Sequence, residues 1–311
     1  MQNKYLELKI NRDFGDIITI YFDFFKQNIK KFSNVFIRYN GIFLIGLLII
    51  SYLLVSGAIG LIHQENSNAF SASDNNMSYY MYIGFSAILF FIIFLVTALL
   101  NYSLSTSYMI HYDSANGNDF DKTNVWSFVK DKLGKIILFV LILIPIYIGF
   151  MIVSVICAII PIIGIFAQYI LQFFLAAWIG VSFFVMLKEG KDIGDSFSEG
   201  WHLVTKNFWK SVGVNLILGI LIGILILLVL MIPGILIGLY TWHVVENDVA
   251  YTTDIVTKII YTLGMCSILI VITFSHCLSQ FINGILYFTL HEKTYNTNTR
   301  NKIDQIGNLG A

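Results

Sequence analysis

Six apolar stretches of the chain contain no Asp, Glu, Lys or Arg: 41–62, 82–110, 136–160, 162–187, 211–232 and 259–290. Each is long enough to cross the hydrocarbon core of a bilayer, which takes about 20 apolar residues in a helix. Only 12% of the 311 residues are charged, whereas an average soluble domain has about 25%. These stretches predict an all-α integral membrane protein with six transmembrane helices.

The six predicted spans pair into three helical hairpins. The third and fourth spans form one apolar run, which is interrupted only near Pro161. A run of that length is too long for a single crossing, so a tight turn is expected at this proline. Pro145 lies inside the third span, where a proline is expected to kink the helix, and Pro233 is expected to end the fifth.

The placement of basic residues predicts how the chain is oriented. All but one of the nineteen Lys and Arg lie before span one, between spans two and three, between spans four and five, or after span six. Positively charged loops remain in the cytoplasm, so both termini are predicted to be cytoplasmic. The loops 64–80 and 241–254 should then face the other side. No small-residue cleavage site follows the first span, so we expect no removable signal peptide.

Each hairpin is preceded by a cytoplasmic segment that is predicted to form an amphipathic helix at the membrane interface. In the first of these segments, apolar residues recur at three- and four-residue steps, as expected for one face of a helix. They are Ile17, Ile18, Tyr21, Phe24, Phe25, Ile29, Phe32 and Phe36. The other face carries charged and amide side chains, so this helix is expected to lie with one side against apolar groups.

Alignment of the sequence with itself predicts an internal repeat. An offset of 179 residues aligns Asn28 with Asn207, and an offset of 75 aligns Trp126 with Trp201. We interpret the chain as a single membrane domain, 1–311, in which each unit is an interfacial helix followed by a hairpin. The units are 13–110, 120–187 and 193–290, followed by a polar and mobile tail at 292–311. Chance similarity among apolar segments is the alternative.

The segment 187–210 has the sequence LKEGKDIGDSFSEGWHLVTKNFWK, and Ile232, Pro233 and Gly234 follow at the end of the next span. This pattern resembles the multi-pass membrane domain fused to some bacterial glycerophosphodiester phosphodiesterases, and its stand-alone relatives of unknown function. The resemblance covers about half of the chain and is weak over the first third. It implies a protein of about six spans in the bacterial inner membrane. It does not imply catalysis, because the chemistry of that family belongs to a soluble barrel with metal-binding residues.

Motifs that would indicate a reaction are missing from the sequence. Ion-coupled transporters place acids or bases at membrane depth, and the six spans contain neither. Paired aspartates, a Ser/His pair and a His-Glu-x-x-His motif, which would indicate intramembrane proteolysis, are not found. The sequence therefore predicts a protein that is not an enzyme and needs no cofactor or metal. Its net charge of zero gives no reason to expect nucleic-acid binding.

The best candidate site is a polar stripe on the sixth span. Its members recur at three- and four-residue steps and so share one helix face: Thr273, His276, Gln280, Asn283 and Tyr287. Candidate partners are Gln168 and Gln172 on the fourth span and Asn101 and Ser105 on the second. Two interpretations remain open. The stripe is either an interhelical hydrogen-bond network or the wall of a polar cavity that binds a lipid headgroup or small solute.

Two pairs of glycines are candidates for close helix packing. Gly219 and Gly223 form one Gly-x-x-x-Gly pair on the fifth span, and Gly234 with Gly238 forms another beyond Pro233. Small residues let helices approach closely in a membrane. Packing within the chain is the favoured interpretation, and dimerisation is the alternative.

These features favour a non-catalytic membrane protein. We expect an accessory or scaffold subunit that binds membrane lipids, another membrane protein or a second copy of the chain. The alternative is a channel or transporter for a neutral or lipidic solute, with the polar stripe facing its pathway. A lipid-modifying enzyme ranks last, because it needs an acid/base pair that only His276 or residues of the outer loops could supply.

Overall fold

A computed structural model describes residues 5–66, 73–160, 162–246 and 255–309, and these residues form helices joined by short connections. The helices are α1 (Phe14–Asn66), α2 (Ser73–Ser114), α3 (Lys122–Asp131), α4 (Leu133–Ala158), α5 (Ile163–Glu189), α6 (Ile193–Lys206), α7 (Phe208–Glu246), α8 (Ile255–Tyr295) and α9 (Thr297–Leu309). Six of them, α1, α2, α4, α5, α7 and α8, are long and apolar enough to cross a membrane. The protein is thus an all-α membrane protein, as predicted.

Helix α1 contains both the first predicted interfacial helix and the first span. It runs without a break over 53 residues, whereas the sequence suggested two helices. Its buried face continues through Phe32, Val35 and Phe36 into the span. The only helix breaker at the junction is Gly41, and one glycine costs a helix only about 1 kcal/mol. The two later segments do form separate helices, α3 and α6.

Proline does not end the fifth span, contrary to the prediction. Helix α7 continues through Pro233 to Glu246, and α4 likewise continues through Pro145. Proline is tolerated inside membrane helices because neighbouring helices and local adjustment compensate the lost backbone hydrogen bond. The turn predicted at Pro161 concerns a residue outside the described ranges, although α4 and α5 flank it.

The chain divides into two compact units. Unit 1 comprises Met1–Val35, Tyr102–Ile220 and Cys277–Ala311, and unit 2 comprises Phe36–Asn101 and Leu221–His276. This division does not test the predicted three-unit repeat, which stays a prediction. The aligned residues can still be compared. The aligned residues Asn28 and Asn207 are both buried, and each donates from Nδ2 to the carbonyl four residues before it.

The core of unit 1 is built around α5 and rich in aromatic rings. Two thirds of the most apolar stretch of α5 is buried. Phe32 and Phe281 meet edge to face with centroids 4.6 Å apart, and Phe139 stacks on Phe197 at 4.5 Å. The indole of Trp178 donates to the carbonyl of Phe197 at 2.9 Å. These contacts join α1 to α8 and bind α6 against α4 and α5.

The polar tail contains helix α9, and its mobility stays a prediction. Helix α9 begins at Thr297, and the carboxylate of Glu292 accepts hydrogen bonds from the backbone N–H groups of Asn298 and Thr299, both at 2.9 Å. The Asn298 amide donates to Glu7 at 2.7 Å. The tail therefore packs on the N-terminal segment.

The core of unit 2 is smaller and aliphatic. Leu47, Ile50 and Leu269 are almost completely buried together, and side chains of α1, α2 and α8 surround them. A Cβ placed on Gly46 would lie 2.8 Å from Ile93, so this glycine allows α1 and α2 to approach. Helix packing in unit 2 therefore depends on shape more than on polar contacts.

Candidate functional site

Three members of the polar stripe, Gln280, Asn283 and Tyr287, lie in unit 1. Their side chains form hydrogen bonds with three other helices. Gln280 is completely buried, and its Nε2 donates to Thr106 of α2 at 2.8 Å and to the Gly180 carbonyl of α5 at 3.5 Å. Its Oε1 has no hydrogen-bond partner among the described residues. Gln280 thus joins α8 to α2 and α5.

Asn283, one turn further along α8, uses both ends of its amide. Its Nδ2 donates to the Ala176 carbonyl of α5 at 3.3 Å, and its Oδ1 accepts from Asn215 of α7 at 3.2 Å. Gly180 makes room for it, because a Cβ on that glycine would overlap the Asn283 side chain. The absence of a side chain at Gly180 is therefore required for this contact.

Tyr287 connects the stripe to a group of charged residues at the end of α5. Its hydroxyl donates to Glu189 at 2.7 Å. Glu189 also pairs with Lys191 at 2.8 Å. The stripe in unit 1 therefore runs from an amide network inside the bundle to a carboxylate where the span ends.

The other two members of the stripe, Thr273 and His276, lie in unit 2. The Thr273 hydroxyl donates to Leu269 of its own helix, and the Thr273 carbonyl accepts from Asn101 of α2 at 3.0 Å. Asn101 accepts in turn from Asn40 of α1 at 2.9 Å. The His276 ring meets Phe94 edge to face, with centroids 5.2 Å apart. Thr273 and Asn101 thus contribute to a second, smaller network that joins three helices.

The remaining candidate partners do not bond to the stripe. Gln168 donates to the Ser154 carbonyl at 2.8 Å, across the α4–α5 hairpin, and Gln172 is exposed. Ser105 is fully buried on α2. The shared face of α8 was predictable from helical periodicity, whereas the partners depend on how neighbouring helices are rotated, which the sequence does not state.

The glycine pairs behave differently from one another. A Cβ on Gly219 would lie 2.9 Å from the Phe173 ring, so α7 and α5 approach closely there, as expected for packing within the chain. At Gly223, Gly234 and Gly238 an added Cβ would find no heavy atom of the described chain within 4 Å. The surroundings of these three glycines give no support for packing within the chain, and their role stays a prediction.

A charged cluster that the sequence did not reveal surrounds Asp113 at the end of α2. Its side chain is only 3% exposed, and its carboxylate pairs with Lys188 at 2.6 Å and with Lys9 at 2.9 Å. The Lys188 ammonium also lies 4.0 Å from the centre of the Phe288 ring, a favourable cation–π geometry. Asp113 and Lys188 both follow the end of a span, and this shared position is the sequence feature that could have predicted their contact.

Unit 1 also contains a cavity of about 220 Å³ between α1, α2 and the connection to α3, which we call the α1–α2 cavity. Asn28, Lys31, Tyr108, Asp119 and Lys122 are among the residues that line it. Lys31 forms an ion pair with the exposed Asp119 carboxylate, and the hydrogen bond and charge of Lys31 lower the pKa of that carboxyl. Three chain segments build this cavity, so no local motif predicts it.

Comparison with family models, with curated proteins and with solved structures gives no match to this chain. The resemblance to the membrane domain of glycerophosphodiester phosphodiesterases therefore stays a prediction. The functional argument depends on the geometry of the networks, the charged cluster and the cavity.

Proposed function

We propose that this protein is a non-catalytic accessory or scaffold subunit of the bacterial inner membrane, which binds membrane lipid or a partner membrane protein. Its termini are then cytoplasmic, because positively charged loops remain on that side. The resemblance described above is compatible with such a role. The predicted orientation and the resemblance both start from the six long apolar helices.

The observation that carries the proposal is the use of the polar stripe in unit 1. Both ends of the Asn283 amide are bonded to neighbouring helices, and the Gln280 Nε2 donates to two of them. Polar groups that face a solute pathway must be available to the solute. Groups that bond across helices instead stabilise the bundle, by about 1 kcal/mol or less each. This favours a packing role for the stripe.

One observation favours the alternative, a channel or transporter for a neutral or lipidic solute. The Gln280 Oε1 is buried and has no hydrogen-bond partner in the described part of the chain. A buried acceptor without a partner is costly, and a passing solute with a hydroxyl group would satisfy it. Gln280 is therefore the residue whose replacement separates the two functions.

The test is purification of the tagged full chain from its native membrane in polymer-bounded nanodiscs. Bound proteins and lipids are quantified by mass spectrometry. We expect a membrane protein in stoichiometric amount, or one lipid class enriched over the bulk membrane. Gln280→Ala should lower the thermal stability without changing what is retained, and Gln172→Ala, which alters an exposed glutamine, is the matched control.

The same purified chain, reconstituted in liposomes, tests the alternative. Flux of glycerol or of a fluorescent short-chain phospholipid that Gln280→Ala abolishes would overturn the scaffold function in favour of transport. Retention of neither protein nor lipid would also overturn it. Flux equal to that of empty liposomes would support it.

Cysteine labelling tests the orientation. Ser114→Cys places a thiol at the exposed end of α2, and Ser67→Cys places one within the predicted outer loop 64–80. In spheroplasts, a membrane-impermeant maleimide should label Ser67→Cys at once and Ser114→Cys only after permeabilisation. The reverse pattern would invert the topology. The wild-type chain, with Cys266 and Cys277 buried and Cys157 half-buried, gives the baseline.

A further inference from the structure

The α1–α2 cavity combines a buried polar side with a charged, exposed side. On the buried side, the Tyr108 hydroxyl donates to the Asn28 Oδ1 at 3.0 Å, and these side chains are 2% and 5% exposed. This bond fixes the orientation of the amide. The Asn28 Nδ2 has two hydrogens and donates one to the Phe24 carbonyl at 2.9 Å. Among the described residues the other hydrogen has no acceptor, so it is available to a ligand that accepts hydrogen bonds.

The exposed side of the cavity carries more positive than negative charge. Lys31 and Lys122 line it together with one acid, Asp119. Lys31 is bonded to Asp119, whose side chain is 85% exposed. An exposed ion pair of this kind contributes little free energy, and an ammonium has three donors. A second anion can therefore bind Lys31 beside the Asp119 carboxylate or in its place.

The loop between α2 and α3 brings these groups together. Asn116 and Gly117 both have a positive φ, 49° and 75°, and the Gly117 N–H donates to the Tyr112 carbonyl at 3.0 Å. This left-handed turn reverses the chain after α2, so that Asp119 and Lys122 return to α1. A side chain at position 117 would press on the Tyr5 ring, which explains why glycine is needed there.

The depth of the cavity indicates where its ligand comes from. Tyr108 lies just before the end of the second apolar stretch at 110, and Tyr112 lies just beyond it. Tyrosines are enriched at the membrane–water interface, where phospholipid headgroups lie outside the hydrocarbon core. A phosphate at this depth reaches the two lysines without leaving the headgroup layer.

We propose that the α1–α2 cavity binds a phosphate group, supplied by the headgroup of an anionic phospholipid, through Lys31, Lys122 and the Asn28 amide. Ammonium groups form charge-assisted hydrogen bonds with phosphate oxygens, and the amide fixes the position of one oxygen. This inference rests on the proposed function and deepens it, because it names the lipid class and the site.

The test uses the full chain in detergent and three probes: dioctanoyl phosphatidylglycerol, dioctanoylglycerol without a phosphate, and inorganic phosphate. Binding is measured by native mass spectrometry and by the shift in melting temperature. We expect phosphatidylglycerol to bind and dioctanoylglycerol not to bind. The double variant Lys31→Gln/Lys122→Gln should weaken phosphatidylglycerol binding about tenfold or more, because two charged hydrogen bonds are lost.

The matched control is Lys26→Gln/Lys30→Gln, which removes the same charge from exposed positions of the same helix. Because salt screens exposed charges, its affinity should stay within about twofold of the wild type. Asp119→Asn separates binding from structure. It breaks the same ion pair as Lys31→Gln, yet it removes the competing carboxylate, so phosphatidylglycerol should bind about threefold more tightly.

Three results would overturn the inference. The first is an equal loss of binding in the cavity and control double variants. The second is weaker binding in Asp119→Asn, which would mean that the ion pair acts only structurally. The third is complete displacement of phosphatidylglycerol by an equal concentration of inorganic phosphate, which would identify a site for soluble anions.

Failure of this inference can be distinguished from failure of the proposed function. If native nanodiscs retain a partner or lipid while both double variants bind phosphatidylglycerol like the wild type, the cavity assignment alone is wrong. If native nanodiscs retain neither, the accessory function is wrong, and the titration still reports whether the cavity binds phosphate.

Discussion

Both units contain buried polar groups that bond to their own helix, but unit 1 has more side chains that bond across helices. In unit 1, side chains bond across helices: Gln280 to Thr106, Asn283 to Asn215, and Tyr287 to Glu189. In unit 2, most buried hydroxyls donate to the carbonyl four residues earlier on their own helix. Examples are Ser51 to Leu47, Ser86 to Tyr82, Thr97 to Ile93 and Thr273 to Leu269.

This difference indicates that polar contacts specify the helix packing more in unit 1 than in unit 2. A hydroxyl that bonds to its own helix is satisfied whatever its neighbour is. An amide that bonds across helices is satisfied only when those helices have one relative rotation and depth. Asn40, Asn101 and Thr273 form the one cross-helix amide network described in unit 2. We therefore expect polar substitutions to be costly in unit 1 and mild in unit 2.

The largest effect is expected from removing the carboxylate of Asp113 in unit 1. Asp113→Ala leaves the Lys188 ammonium, whose side chain is 18% exposed, without its acid. Breaking a buried ion pair by removing one partner costs about 3 kcal/mol. We expect a clear fall in the melting temperature in detergent. Size-exclusion chromatography of heated samples measures that temperature.

Asp192→Ala is the matched control for that variant. Asp192 is 89% exposed and faces Lys135 at 3.6 Å, so its removal should change the stability by about 0.5 kcal/mol or less. Equal effects of the two variants would show that the Asp113 cluster is as dispensable as a surface pair, and the comparison between the units would lose its strongest element.

The next largest loss of stability is expected from adding a side chain at the close contact between α5 and α8. The Cβ in Gly180→Ala would overlap the Asn283 side chain, including its Cβ at 2.6 Å, and that atom cannot move without its backbone. Overpacking costs about 1–3 kcal/mol, so a loss of about 2 kcal/mol is expected. Gly238→Ala in unit 2 meets open space and should be neutral. If both glycines tolerate alanine in denaturant titrations, unit 1 is no more tightly specified than unit 2.

A direct exchange of polar side chains sharpens the comparison further. Asn283→Ala removes two cross-helix bonds in unit 1. Thr97→Val in unit 2 removes a hydroxyl that donates within its own helix, to the Ile93 and Phe94 carbonyls. Polar contacts between membrane helices average about 0.6 kcal/mol, so Asn283→Ala should cost about 1 kcal/mol and Thr97→Val nearly nothing. Chemical denaturation in mixed micelles measures both, and a larger loss in Thr97→Val would reverse our interpretation.

Some of this architecture was predictable because the bilayer imposes it. Hydrocarbon requires long apolar helices that satisfy their own backbone groups, which is why six spans were found. Helical periodicity likewise placed Gln280 and Asn283 on one face. The unbroken α1 and the continuation of α7 through Pro233 were not predicted, because one glycine costs a helix only about 1 kcal/mol and proline is tolerated inside membrane helices.

The partners of these residues depend on tertiary packing, which one sequence does not specify. Gln168 pairs within its hairpin instead of with the stripe, although its position on the fourth span suggested otherwise. Asp113, Lys188 and Lys9 are far apart in the chain and each resembles an ordinary charge at the end of a span. The α1–α2 cavity was not predicted either, because its lining comes from three segments that only tertiary packing brings together.

The smallest effect concerns Glu7, which joins the N-terminal segment to α9 within unit 1. Burial raises the pKa of its carboxyl, but hydrogen bonds from Lys302 and Asn298 outweigh burial, so the pKa lies below its ordinary value of 4.5. A carboxyl with a lowered pKa stabilises the folded state above its unfolded pKa. That contribution is lost as the pH falls through the folded value, so it is constant from pH 7 to pH 5 and declines below about pH 4.5.

Spin-label mobility at Ile306→Cys, an exposed position of α9, measures this contribution. Because the Glu7 side chain is 30% exposed, we expect only a few tenths of a kcal/mol. Glu292, which caps α9, also loses its charge in acid, so the wild type must be compared with Glu7→Gln. The mobility difference between them should be constant above pH 5 and shrink as the pH falls below about 4.5. A difference that grows on acidification would mean that Glu7 does not hold α9 through its charge.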